Sequence, residues 1–261
     1  MQEPVVNVGI LHAPEIAFEL NGTFISERGE VTGLQNVIFC NGQLLWDGAT
    51  SPSLSFQPCG EAHFTLKSVV IGINFHWERR EDQTFTGQLL LISDGQMLCA
   101  INRLPVEDYL TSVISSEMSQ HAGLELLKAH AIISRSWLLS QIEHKRNAAA
   151  STCQETPERL IRWYDHDDHT LYDVCADDHC QRYQGITRAT NPAVREAIAA
   201  TRGVLLMNDG QICDARFSKC CGGTMELFSS CWEDRDYPYL VAKKDWIGEG
   251  DDAFCNASDP K

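Results

Sequence analysis

The sequence predicts an α+β fold: a β-rich N-terminal part, read as a small barrel or sandwich, packed with a helical plus hairpin region that carries a metal-clipped insertion. Three observations predict it. Short apolar or alternating runs, separated by hairpin dipeptides, fill the first hundred residues. A 3.6-residue apolar period starts at Leu104-Pro105. A polar stretch without period then interrupts the helical part from about 146 to 185. At 261 residues and 43% hydrophobic content the chain has apolar mass for one large domain or two small ones.

Residues 1–103 contain runs such as Val5 to Leu11, Val69 to Ile73 and Gly87 to Ile92, with turns expected at Asn21-Gly22, Asn41-Gly42 and Asp94-Gly95. Residues 104–250 follow as the second region. Pro105 suits the first helical position, Glu107 and Asp108 complement the positive helix end, and Val106, Tyr109, Leu110, Val113 and Ile114 keep the helical period. Gly123 punctuates, and a second helix is predicted from about Leu124 to His144, apolar on most sides and so expected to be buried. After the insertion at 146–185, Asn191-Pro192 opens a third helix with Gly203 beyond its end. A hairpin turning at Asn208-Asp209-Gly210 precedes the segment Ser218 to Thr224. Residues 251–261 read as a tail with no closing element, which leaves a missing C-terminal region open.

A net charge of −15 and a pI near 4.9 exclude a basic stripe for nucleic acid and disfavour an anionic membrane surface. No apolar run approaches the ~18 residues of a membrane-spanning helix. The opening Met1-Gln2-Glu3-Pro4 shows no signal peptide. Eleven cysteines are scattered without a framework; Cys40, Cys59 and Cys99 read as small buried hydrophobes.

One carboxylate breaks the pattern. At ~100° per residue, Val106, Leu110, Val113 and Glu117 share a wedge of roughly 60°. Glu117 therefore continues the core-facing stripe and sits at the negative end of the helix. Desolvation and the dipole both raise its pKa, the condition for a general acid at neutral pH. The competing reading is a helix frayed by Ser115, with Glu117 solvated or capping.

The segments Leu104 to Leu110, Ser116-Glu117-Met118, Leu126 to Trp137, Ala197 to Gly203, the Asn-Asp-Gly hairpin, Ser218 to Thr224, Trp232 and Tyr237-Pro238-Tyr239-Leu240 together resemble the SpoIID/LytB family, in order, over about residues 100–245. The resemblance implies a lytic transglycosylase that cuts peptidoglycan glycan strands, peptide-stripped ones above all, with Glu117 as the catalytic acid. It also implies an alternative: a non-catalytic wall-binding module that enhances an amidase on the same scaffold. The family's usual Gln after Lys-Ala is His130 here, and its Ser-Ser-Gly-Gly is Cys220-Cys221-Gly222-Gly223. An extracytoplasmic location follows from the resemblance alone. One Glu suffices for such chemistry, since the muramyl 6-hydroxyl is the nucleophile, unlike the two-carboxylate glycosidases.

Lys128 and Arg135, seven residues apart on one helix face, suit sugar hydroxyls or acetamides, or else pair with acids such as Glu125 or Asp108. Ser218, Gly222, Gly223 and Thr224 form either a groove wall that a sugar approaches closely or a tight turn.

Within the insertion, two cysteines and up to three histidines fall within fifteen residues, a donor set that suits zinc. The chosen ligands are His169, Cys175, His179 and Cys180. Some family members resemble this segment and hold zinc there. Four protein ligands leave no open position, so the expected zinc is structural and replaces a missing apolar core. A Cys175–Cys180 disulfide is the alternative. A zinc hydrolase is disfavoured because no His-Glu-x-x-His occurs.

Overall fold

The computed structural model describes residues 3–73, 75–145, 153–157, 159–162, 169–218, 220–246 and 253. Parts of the predicted insertion, at 146–152, 158 and 163–168, and all of the predicted tail except Ala253 lie outside the described residues.

The fold is α+β and strand-rich. Ten strands come first: β1 (Val5–Ala13), β2 (Glu15–Ser26), β3 (Gly29–Cys40), β4 (Gln43–Trp46), β5 (Ala49–Ser51), β6 (Ser53–Pro58), β7 (His63–Ile71), β8 (Arg79–Thr86), β9 (Gln88–Ser93) and β10 (Leu98–Pro105). Helices α1 (Val106–Glu117) and α2 (Leu124–Lys145) follow, then the pair β11 (Cys153–Thr156) and β12 (Arg159–Arg162), and β13 (Val174–Cys175). Helix α3 (Pro192–Ala200), the short pair β14 (Met207–Asn208) and β15 (Gln211–Ile212), and α4 (Phe228–Cys231) complete the described elements.

Two compact units emerge: Met1–Arg135 with His169–Val204, and Ser136–Asp168 with Leu205–Lys261. In the first, the sheet runs β13-β1-β10-β9-β6-β2-β3-β4-β5, with β7 branching from β2 and carrying β8. Among the described residues it does not close into the barrel that was one expectation. The outer edge of β8 is taken by coil instead of a strand: Ile186 N–H donates to Thr84 O at 2.8 Å, and Thr84 N–H to Thr187 Oγ1 at 3.0 Å. An edge satisfied in this way needs no further strand.

The branch at β2 has a local cause. Asn21-Gly22, expected to turn a hairpin, lies inside β2 and forms a bulge between Leu20 and Phe24. Before the bulge, β2 pairs with β7 (Phe18↔Leu66 to Asn21↔His63); after it, with β6 (Phe24↔Pro58). Gly22 adopts φ +102°, and a Cβ there would meet Ala62 Cβ at 2.8 Å. The positive φ is used to bend a strand and hand its edge to a new partner. The other two dipeptides turn as expected: Asn41-Gly42 joins β3 to β4, and Asp94 N–H donates to Met97 O at 3.1 Å between β9 and β10.

Helix α1 starts one residue later than expected. Pro105 still pairs with Val5 at the end of β10 and serves as N-cap (φ −58°, ψ 148°), with Glu107 and Asp108 in the first turn. The helix packs on β1, β10 and α3, which explains why Leu98 to Asn102 of β10 are buried without alternation. The third helix begins as read: Asn191 Oδ1 accepts from Ala193 N–H at 3.0 Å, with Pro192 next. A ladder of buried rings joins sheet to helix: Phe24–Phe64, Phe64–Phe85 (5.4 Å), Phe85–Tyr183 (5.8 Å) and Tyr183–Tyr109 (5.1 Å). Each such pair adds about 0.5–1.5 kcal/mol beyond burial.

The second unit holds the C-terminal half of α2, β11, β12, β14, β15 and α4. Arg216 is its hub. It makes a fork to Asp214 (2.8 and 3.2 Å) and lies over the rings of Trp232 (4.3 Å), Trp137 and Phe228 (both 5.7 Å).

Of the cysteines read as buried hydrophobes, Cys99 is buried, Cys40 half-buried and Cys59 exposed, since Cys59 follows the end of β6. No helix among the described residues is long and apolar enough to cross a membrane.

Gly22→Ala is expected to destabilise the protein by at least about 1 kcal/mol, the cost of an L-residue at a glycine-only φ. A urea midpoint equal to that of the parent protein would contradict the bulge as the device that splits the β2 edge.

Candidate active site and metal-ligand cluster

Glu117 ends α1 and does not project freely into water. Its Oε1 accepts the backbone N–H of Arg182 at 2.6 Å. Burial pushes its carboxyl above the ordinary value of 4.5; the Arg182 N–H and the Arg182 charge oppose this, and Asp178 adds a smaller upward push. Burial prevails because the nearest cation is already engaged. The Arg182 guanidinium forks onto Asp178 at 2.7 and 2.8 Å, so its charge is largely neutralised before it reaches Glu117.

The partner segment 181–184 is held along α1 by three further contacts. Tyr109 O–H donates to Gln181 Oε1 at 3.1 Å, Gln184 N–H donates to Ser112 Oγ at 3.0 Å, and Tyr183 stacks on Tyr109. Tyr183 O–H in turn donates to Asn102 Oδ1 at 2.5 Å, and Gln181 Nε2 to Ser134 O at 3.4 Å. The sequence predicts Tyr109 on the face of the first helix and places Gln181 to Gln184 in the aperiodic insertion, without singling out Ser112. The available signal was Ser112, a polar residue among buried α1 positions, which requires a partner.

Immediately before this segment, β13 pairs in parallel with β1 (Val8↔Val174, Gly9↔Cys175), and Asp173 accepts from Asn7 N–H and Nδ2 at 2.8 and 3.0 Å. This pins the loop that presents His169, Cys175, His179 and Cys180, whose ligand atoms all lie within 4.8 Å of one another. Cys180 Sγ is 3.4 Å from His169 Nε2 and 3.5 Å from His179 Nδ1; Cys175 Sγ is 3.9 Å from His179 Nδ1. The edges of a zinc tetrahedron of two nitrogens and two sulfurs are roughly 3.3–3.8 Å; the donor set suits such an ion, and the two Cys180 spacings fall within that range. Cys180 first, and then the two imidazoles, push the Cys175 thiol far down against the effect of burial, toward the thiolate that a metal ligand requires. Cys175 and Cys180 are not joined by a disulfide.

The other expected residues make contacts of their own. Lys128 pairs with Glu125 at 2.8 Å on the surface of α2. Arg135 is 1% exposed and spends its guanidinium on a bidentate pair with Glu107 (2.9 and 2.7 Å) and on Val204 O at 3.2 Å; its partner is Glu107, not Asp108. Such a group ties α1 to α2 and has no open face for a sugar. Ser218, Gly222, Gly223 and Thr224 belong to the second unit, whereas Glu117 belongs to the first. There Gly222 and Gly223 take φ +67° and +97° in a turn, Gly223 O accepts from Asp245 N–H and Trp246 Nε1 (both 3.0 Å), and Thr224 bridges Lys244.

Residues 94–208 match the sequence model of a family described as SpoIID, stage II sporulation protein. Among curated relatives, an uncharacterised protein of Brachyspira hyodysenteriae is 27% identical over 139 residues, covering 53% of this chain and 32% of the relative. Stage II sporulation protein D of Bacillus subtilis is 24% identical over 147 residues, covering 56% of this chain and 40% of the relative. The matched stretches thus span well under half the length of either relative.

Arg135→Ala is expected to destabilise the protein by about 3–5 kcal/mol, because it leaves the Glu107 carboxylate buried without its cation. Chemical denaturation measures this. A loss under about 1 kcal/mol, or full rescue by Arg135→Lys, would contradict the fork as a structural tie.

Proposed function

We propose, from the match of residues 94–208 to the SpoIID family, that it is a cell-wall enzyme: a lytic transglycosylase that cleaves the bond between N-acetylmuramic acid and N-acetylglucosamine in glycan strands. The observation that carries this reading is a carboxyl whose pKa burial raises at the end of α1, with one oxygen fixed on the Arg182 N–H. That bond leaves Oε2 to deliver the proton. Glu117 donates it to the glycosidic oxygen as the C–O bond breaks. The resulting carboxylate then accepts the proton of the muramyl 6-hydroxyl as that oxygen closes on the anomeric carbon, giving a 1,6-anhydro end. Proton and electron pairs balance, and no water enters. The substrate places the protein outside the cytoplasm, on peptide-stripped strands made by a cell-wall amidase.

The four-residue cluster is proposed to hold a structural zinc ion. Bound there, zinc would supply a cross-link, not an activated water, since four protein ligands fill its sphere. His169, Cys175, His179 and Cys180 thereby hold the loop whose next residues reach Glu117.

Glu117→Gln is expected to lower release of anhydro-muramyl ends by at least about 100-fold, read by mass spectrometry on peptide-stripped strands. Retained turnover refutes the assignment; ends that carry water instead of the anhydro bond mark a hydrolase. The same variant reports on pH. A raised folded pKa gives a stabilisation that is complete below the ordinary value of 4.5 and is lost as pH climbs through the folded value. Glu117→Gln should therefore be at least as stable as the parent at neutral pH, and cleavage by the parent should fall as pH rises through that same value.

Metal analysis of protein purified without chelator is expected to give about one zinc per chain, with a lower melting temperature after stripping. Protein free of metal yet fully folded contradicts the clip.

A further inference from the structure

Arg182 meets Glu117 through its backbone, while its side chain is held elsewhere. The Arg182 N–H binds Glu117 Oε1 at 2.6 Å. The guanidinium, the cation that acts on this carboxyl, is engaged from two sides. Its Nε and Nη2 fork onto Asp178 at 2.7 and 2.8 Å, and its centre lies 5.5 Å from the middle of the Trp77 ring. Both partners of the fork are about one-third exposed, and such a pair is weak by itself. The ring face supplies the second hold.

Trp77 is placed for this by the turn between β7 and β8. It lies against the bare backbone of Gly72 (φ +69°), where a Cβ would strike its ring, and it stacks on Phe75 at 5.5 Å and 13°. Two backbone bonds, Phe75 N–H to Gly72 O and Glu78 N–H to Phe75 O (both 3.0 Å), close the turn. Phe75 is 53% exposed, so this ring pair adds little to the core. What it does is steady the ring on which the guanidinium lies.

Release of that guanidinium would change the acid. The Arg182 side chain is long enough to turn back on a carboxyl bonded to its own N–H, and Arg–carboxylate forks are among the strongest ion pairs. An opposite charge within about 4–6 Å lowers a carboxyl by about one to three pH units, which would cancel the upward effect of burial on Glu117. The other groups facing Glu117 do not replace this cation: Asp178 pushes the carboxyl up, and Tyr109, on the same helix, is buried with its phenol raised well above the ordinary value. Asp177 acts on Arg182 and adds to its hold on the acidic loop.

We propose that Asp178 and Trp77 are positioning residues for the acid: they park the Arg182 guanidinium away from Glu117 and so prevent an Arg182–Glu117 ion pair. The proposal deepens the general-acid reading of Glu117 and rests on it, but its test reads the carboxyl and not the cleavage. The Glu117 side chain is titrated by carbon-13 NMR in the parent, in Asp178→Asn, Asp178→Glu and Trp77→Leu, and in Asp178→Asn and Trp77→Leu each combined with Arg182→Met. Asp178→Asn is expected to lower the midpoint by at least about one pH unit, tenfold in proton affinity, and Trp77→Leu by about threefold. Asp178→Glu keeps the parental midpoint, and in the Arg182→Met background both shifts largely vanish. Since the acid form disappears as pH rises through the midpoint, cleavage by Asp178→Asn fails at a lower pH than cleavage by the parent. A midpoint unmoved by Asp178→Asn overturns the parking, as does a fall that persists in full without the guanidinium, which would assign the effect to the Asp178 charge or to loop packing. Trp77→Leu, in a different element from the metal-ligand loop, decides the matter if Asp178→Asn does not fold. An Arg182-dependent shift in a protein that makes no anhydro ends sustains the parking while the catalytic reading fails; anhydro ends with an unmoved midpoint do the reverse.

Discussion

The site depends on one docking contact: the segment 181–184 laid along α1. Tyr109, Ser112 and Glu117 each bond to it, at Gln181 Oε1, Gln184 N–H and Arg182 N–H. Without that segment the end of α1 would be wet, and Glu117 would be an ordinary surface carboxylate. With it, the carboxyl loses water on one side and gains a single fixed donor. The net effect is upward, because one hydrogen bond does not replace the hydration lost.

The segment is too polar to hold itself there by hydrophobic burial. It is held from both ends. Tyr183 enters the ring ladder that begins in the sheet at Phe24 and passes through Phe64 and Phe85. On the other side, β13 extends the sheet by two residues beyond β1 and leads directly into the Cys175, His179 and Cys180 loop. The acid thus borrows its rigidity from the sheet through two routes. The buried Arg135–Glu107 fork fixes α1 from its other end, leaving the helix little freedom to slide.

Local chemistry made much of this legible in the sequence. The Asn191 cap with Pro192, the period of α1 and the Asn41-Gly42 turn each depend on a few adjacent residues, and each has its expected form. Glu117 could be singled out because it continues an apolar stripe, and His169, Cys175, His179 and Cys180 because metal-ligand types crowd together. What escaped is long-range. Asn21-Gly22 has turn chemistry but serves as a bulge, since the choice depends on which strands compete for the β2 edge. Arg135 has the look of a binding residue until Glu107, 28 positions away, occupies it. Gln181 to Gln184 carry no periodic signal, because their order comes from hydrogen-bond partners 47 to 81 residues distant.

The central claim is that this packing raises the pKa of the Glu117 carboxyl. Carbon-13 NMR titration of the Glu117 side-chain carboxyl in the intact protein tests it directly. The account predicts a midpoint clearly above the ordinary glutamate value of 4.5. A midpoint at or below that value would show that the hydrogen bond outweighs the burial, and would contradict Glu117 as a general acid.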